Sequence, residues 1–229
     1  MNFPPLFARF SLLCTVLLCT LPFLQPYHLY PLTTFYSEWL AFALSLGVMT
    51  IWMDGRLQER AEVPWVALSP FALAVLLMVH GLLGWSPYFG QALTGALYLA
   101  WAGLLIIAGR ALARIWGVET LSLVIASALA AGALLSAAAG LIQFYGLKTP
   151  LNIWIARPTS AALFGNLAQA NHFASHATLG LLSLAYLSLR GPRVALIALP
   201  CTLPLLFVLG LSGSRSVWLF LLEIGRAHV

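Results

Sequence analysis

Seven apolar runs constrain this chain more than any other feature. They lie at 7–24, 37–53, 64–83, 90–109, 120–145, 170–189 and 194–211, and an eighth opens near Ser216. A helix that crosses the hydrocarbon core of a bilayer needs about 20 mostly apolar residues, so each run reads as a membrane span. The runs are long for strands and lack the period-two alternation of a membrane barrel. The expected fold is all-α: a polytopic transmembrane helical bundle of about seven to eight spans, incomplete at its C-terminus. Composition agrees, because only 7% of the residues are charged while 62% are hydrophobic. A soluble domain carries roughly 25% charged residues, so this chain has too little polar surface to wet a globule.

The polar stretches between the runs are loop-sized, so residues 1–229 read as a single transmembrane domain without internal repeat. The first run lacks a clear small-residue cleavage site and is followed by further spans, which favours an uncleaved anchor over a signal peptide. Cys14, Cys19 and Cys201 all lie in apolar stretches, are odd in number and show no metal-ligand spacing. The net charge of +5 is scattered between apolar runs rather than clustered, so no nucleic-acid partner is expected.

Lys and Arg, counted in alternate loops, set the orientation. One side holds seven: Arg9, Arg56, Arg60, Arg110, Arg114, Arg190 and Arg193. The other holds three: Lys148, Arg157 and Arg215. Arg226 lies in a tail that is left out of the count. The N-terminus is therefore expected in the cytoplasm, together with Asp54, Glu59, Glu62 and Glu119, leaving Glu38 as the outward carboxylate. Cytoplasmic arginines are explained by topology alone. Lys148, Arg157 and Arg215, on the side where basic residues are unexpected, ask for another reason.

The stretch from Arg157 to His176 is the most informative. Gln169, His172 and His176 follow i, i+3, i+7 spacing and would share one helix face, with the amides of Asn166 and Asn171 nearby. Polar density at the end of a span is costly in lipid, so these groups should face the bundle or a wet cavity. The plainer alternative is a capped helix start at headgroup level. His172-Phe-Ala-Ser-His176 lacks the glutamate of the helical zinc-protease motif, and no metal is assigned. In Ser212-Gly-Ser-Arg-Ser216, glycine and serines let backbone N–H groups approach a ligand ahead of a helix N-terminus. Arg215 adds a planar cation suited to phosphate oxygens. A short turn with a snorkelling arginine is the plainer reading there. His80 could simply meet the interface, Glu38 could complement a helix dipole, and Tyr30, Tyr36, Trp39, Trp85, Tyr88 and Trp154 fit an aromatic belt. The small-residue run from Ala126 to Gly140 would let helices approach closely.

Three segments resemble, in order, parts of the bacterial protein O-oligosaccharyltransferases, pilin-glycosylation ligases related to the O-antigen ligases. They are Pro26-Tyr-His-Leu-Tyr-Pro-Leu-Thr-Thr-Phe-Tyr-Ser-Glu-Trp-Leu40, Gly165-Asn-Leu-Ala-Gln-Ala-Asn-His172 and Ser212-Gly-Ser-Arg-Ser-Val-Trp-Leu219. The first resembles the N-terminal part of the protein-glycosylating branch, and Arg215-x-x-x-Leu219 resembles an arginine motif shared more widely among the ligases. The resemblance implies an inner-membrane enzyme that takes a glycan from undecaprenyl pyrophosphate on the periplasmic face. It would pass the glycan to a Ser or Thr of an exported protein such as a pilin, without metal, nucleotide sugar or other cofactor. Its partners would be the lipid-linked glycan, the acceptor protein and membrane lipids. On this view residues 1–145 supply N-terminal helices and 146–229 begin the ligase-like region. Substrate contacts fall to Arg215 first, then Arg157, with Gln169, His172 and Asn166 orienting glycan or pyrophosphate.

Family members continue into a large periplasmic loop, carrying a histidine proposed as general base, and then further helices. This chain stops at Val229, and Glu223-Ile-Gly-Arg-Ala-His-Val continues an apolar helix poorly. It is expected to be an N-terminal fragment, inactive alone, with no general base assigned; His228 matches no motif. The competing readings are an O-antigen ligase or polysaccharide polymerase of the same superfamily, and a transporter or lipid-linked-oligosaccharide flippase, in which an intramembrane polar face marks a path.

Overall fold

The computed structural model describes residues 6–28, 33–53, 62–157, 162–167 and 169–215. Among the described residues the regular structure is entirely helical: α1 (Leu6–Leu18), α2 (Leu21–Leu24), α3 (Phe35–Met49), α4 (Trp65–Leu82), α5 (Phe89–Trp116), α6 (Val118–Phe144), α7 (Ala170–Ser188) and α8 (Pro192–Leu211). Short 3₁₀ turns cover Thr50–Met53 and Pro150–Trp154. Among the described residues six helical stretches are long and apolar enough to cross a bilayer: Leu6–Leu24, Phe35–Met53, Trp65–Leu82, Phe89–Trp116, Val118–Phe144 and Pro192–Leu211. The remaining expected run, 170–189, is also a helix, α7, but a more polar one that does not join those six. The eighth, with Trp218, Leu219 and His228, lies outside the described residues, as does Tyr30.

Local chemistry sets the breaks. Pro22 has no N–H to give to Leu18, so the first run divides at Cys19 and Thr20 and resumes as α2 with proline in its first turn. The Thr20 hydroxyl donates to the Val16 carbonyl and to that of Leu17, which also accepts the Thr20 N–H. The polar loop expected between 109 and 120 is not there. α5 runs on through Arg110 and Arg114 to Trp116, and a single glycine, Gly117, turns the chain directly into α6. Its φ of +82° is a conformation open to glycine and costly for residues with a Cβ.

The chain groups into two compact units, each drawing on two segments: Met1–Cys14 with Ser45–Leu121, and Thr15–Leu44 with Ser122–Val229. In the first, α4 packs on α5 through their small residues. A Cβ on Gly103 would come within 2.7 Å of the Phe71 ring, and one on Gly81 within 2.8 Å of Ala92. Ser11 Oγ donates to the Val48 carbonyl at 2.5 Å, and Trp101 Nε1 to Ser45 Oγ at 2.8 Å. Glu62 accepts Arg110 at 3.4 Å and also pairs with Arg114. His80 is exposed, with its ring edge-on to Trp85 at 5.0 Å.

In the second unit, the small-residue run of α6 meets α7. A Cβ on Gly180 of α7 would overlap Ala133, and one on Gly140 would come within 2.8 Å of Leu163 and 3.3 Å of Phe173. Ala130, Ala133 and Ala137 of α6 share a buried core with Phe173, Ala174, Ala177 and Leu184 of α7 and with Leu205, Val208 and Leu209 of α8. Lipid offers helices no hydrophobic drive to associate, so this close approach of small residues is what holds such a pair together.

Candidate functional site

The second unit gathers three connections, described at 25–28 with 33–34, at 145–157 with 162–167 and 169, and at 212–215. A buried amide ties the first two. Asn166, 3% exposed, donates from Nδ2 to the carbonyls of Leu24 (2.7 Å) and Trp154 (2.8 Å), while Oδ1 accepts the Ala156 N–H at 2.9 Å. Its backbone carbonyl bonds His28 Nε2 at 2.7 Å, and His28 Nδ1 meets the Thr33 carbonyl at 2.8 Å. Both partners of the His28 ring are acceptors, and a neutral imidazole has one N–H to donate. Both amide protons of Asn166 are taken up by backbone groups, which makes the residue an organiser of these loops.

Gln143, near the end of α6, supports the same knot from beneath. Its Nε2 donates to the carbonyls of Ala156 (2.7 Å) and Gly165 (3.1 Å), and its buried Oε1 has no donor among the described residues. Gly165 makes the turn possible. It sits at φ +54°, and a side chain there would press on the Ser136 carbonyl and the Phe173 ring. Sequence reasoning passed over Gln143 because it ends a long apolar run. The signal was the cost of a lone amide in a span, which demands partners.

The third connection is held to α7. Ser214 Oγ donates to Asn171 Oδ1 at 2.7 Å, and Ser212 Oγ accepts the Ser214 N–H at 3.3 Å around Gly213, whose φ is +64°. Arg215 therefore leaves the chain one residue beyond an anchor in the first turn of α7. Gln169 is the N-cap residue of α7: its backbone carbonyl accepts from Phe173, but its exposed side chain makes no cap bond. The first N–H groups of a helix have no intrahelical acceptor, so the start of α7 presents donors next to the Arg215 loop.

Two cavities open in this unit. The larger, about 850 Å³, is lined by Lys148, Arg157, Asn152, Gln143, Tyr27 and His28 among others. The smaller, about 600 Å³, is mostly apolar, with Leu18, Pro22, Phe23, Leu129 and Leu179 in its wall, and it also meets Glu38, His172 and His176. His28 borders both. The shared helix face read from Gln169, His172 and His176 is thus divided. The two histidines lie on α7 and meet one cavity, while Gln169 stands just ahead of the helix. His176 is 2% exposed and stacked on Phe23 with centroids 4.1 Å apart. Among the described residues no three His, Cys, Asp or Glu side chains are grouped to hold a metal ion. Arg157 and Lys148 border the larger cavity, and the exposed Arg215 follows the loop that Ser214 holds to α7, so these three cations fall into two places.

A profile of the protein glycosylation ligase family matches residues 163–187, which take in Gly165, Asn166, Gln169, His172 and most of α7. The chain is 30% identical over 214 residues to the general O-oligosaccharyltransferase of Acinetobacter baylyi (strain ATCC 33305 / BD413 / ADP1). That alignment covers 91% of the chain and 36% of the relative, so the chain spans little more than a third of the relative's length. No solved structure matches the chain.

Proposed function

We propose that the chain belongs to the O-oligosaccharyltransferase family of protein glycosylation ligases and forms the donor-binding part of an enzyme that moves an oligosaccharide from undecaprenyl pyrophosphate to Ser or Thr hydroxyls of exported proteins such as pilins. In that reaction the acceptor oxygen bonds to the anomeric carbon as the bond to pyrophosphate breaks. The acceptor proton goes to a general base not assigned within this chain, and the electron pair leaves on pyrophosphate. Fixed cations and helix-end donors aimed at that developing charge lower the barrier.

The observation that supports this reading is the Ser214–Asn171 bond, which puts Arg215 one residue from the first turn of α7, whose His172 lines the apolar cavity. Arg215 and the first amides of α7 receive the pyrophosphate, Gln169 and His172 orient it, and Asn166 holds the surrounding loops in register. The apolar cavity suits the first part of an isoprenoid chain. Arg157, across the Asn166 knot, faces the glycan. The enzyme sits in the bacterial inner membrane with its N-terminus cytoplasmic and these three connections periplasmic, as the seven-to-three split of basic residues implies.

The test expresses the reading frame containing this chain in a bacterial host that makes a lipid-linked glycan and a pilin-like acceptor and has no ligase of its own. Intact-mass measurement of the acceptor should show the glycan with the wild-type protein and lose it with Arg215→Ala. An unmodified acceptor with the wild-type protein defeats the assignment of activity. Equal modification by both defeats the role of Arg215.

A further inference from the structure

Resting on the ligase reading, we propose that the larger cavity is a sugar subsite selective for a carboxylated, uronic-acid-type residue of the donated glycan. Three observations meet there. First, its wall carries two exposed cations, Lys148 and Arg157, and none of its lining residues is a carboxylate. Neither cation has an ion-pair partner among the described residues, whereas Arg110 and Arg114 share Glu62. A guanidinium pairs a carboxylate through two parallel bonds, and an ammonium adds a point charge beside it.

Second, Gln143 in the same wall is buried and donates from Nε2 to the carbonyls of Ala156 and Gly165. The backbone that leads into Arg157 is therefore held in place, and a cation on a fixed wall pairs a planar carboxylate with less loss of freedom than one on a mobile loop.

Third, Tyr27 lies in the wall with over half of its surface exposed, and Asn152 adds an amide. An aromatic face with scattered amides suits the apolar face and hydroxyl rim of a pyranose better than a bare phosphate. The volume of about 850 Å³ lies within the range of small-ligand sites. The Arg215 loop, anchored on α7, is left for the phosphates.

The probe pair is tri-galacturonic acid and its fully methyl-esterified form, which keep the same rings and remove the charge. Each is titrated against the purified chain in neutral detergent micelles, with saturation-transfer NMR reporting occupancy and Kd. We expect the acid to bind about tenfold more tightly than the ester at low salt. The gap should close as salt rises, vanish in Lys148→Ala/Arg157→Ala and persist in Arg215→Ala. Equal affinity for acid and ester overturns the selectivity while leaving the ligase reading to its transfer assay. No binding of either saccharide overturns the subsite. A preference that survives the double variant, or that Arg215→Ala removes, puts the anion elsewhere and overturns it too. Glycerol 1-phosphate, the mimic of a lipid headgroup, should displace the acid weakly; displacement at equal concentration marks a general anion patch and overturns the proposal.

Discussion

In the first unit Arg110 and Arg114 converge on Glu62, while in the second Lys148, Arg157 and Arg215 meet no carboxylate among the described residues. The backbones differ in parallel. α4, α5 and the single-glycine turn at Gly117 keep much of the described first unit helical, so most of the backbone polar groups there are paired within helices. The second unit carries an irregular stretch between α6 and α7, whose carbonyls and amides are satisfied by two buried side chains, Asn166 and Gln143. Irregular backbone near a membrane is tolerated where protein or a wet cavity covers it. A chain keeps uncompensated cations and loops of this kind where they meet a ligand, and neutralises them where they only support the fold.

The sharpest break of that contrast is functional. Arg215→Ala should lower glycan transfer about 100- to 1000-fold, the scale set by removing one group that stabilises developing charge. The thermal unfolding of the chain in detergent should stay unchanged, because Arg215 is exposed. An equal loss on removing Arg114, a partnered arginine of the first unit, would erase the distinction between the two sets of cations.

Asn166→Ala comes next. It strips partners from the Leu24 and Trp154 carbonyls and the Ala156 N–H, at roughly 1–3 kcal/mol for each buried group left unsatisfied. Hydrogen exchange should quicken at 154–157 and 162–167 while α4 and α5 keep their protection. Uniform acceleration across both units would mean that the knot is no local device.

Gly180→Leu forces a side chain into Ala133 and should cost about 1–3 kcal/mol by overpacking, read as a lower midpoint of thermal unfolding. Gly109→Leu on α5 is its control, since nothing lies within 4 Å of the added Cβ. That variant should shift the midpoint little. Equal shifts would remove the specific α6–α7 approach.

The spans were legible because length and apolarity alone dictate them, and seven of the expected runs are helical as read. The small-residue stretch of α6 announced close packing, but its partner α7 could not be named, since small residues specify an approach distance and not a neighbour. The 109–120 junction misled because two arginines followed by a glycine and a glutamate look like a loop. Here the arginines continue the helix, and only the positive φ of Gly117 ends it. Asn166 was legible as important, but its partners lie at residues 24, 154 and 156, a pairing that no local pattern encodes. The polar pair His172 and His176 was visible as an i, i+4 spacing, while the Phe23 ring that covers His176 comes from another helix.

The smallest effect tests the other half of the comparison. Glu62→Gln removes the carboxylate that Arg110 and Arg114 share, and the Glu62 side chain is 60% exposed. An ion pair at such a site contributes below about 1 kcal/mol and is screened by salt. The unfolding midpoint should therefore fall slightly at low salt and not at all at high salt, with glycan transfer unchanged. A large loss of stability, or any loss of transfer, would show that the cations of the first unit serve function as much as those of the second, and the division drawn between the two units would fail at its supporting end.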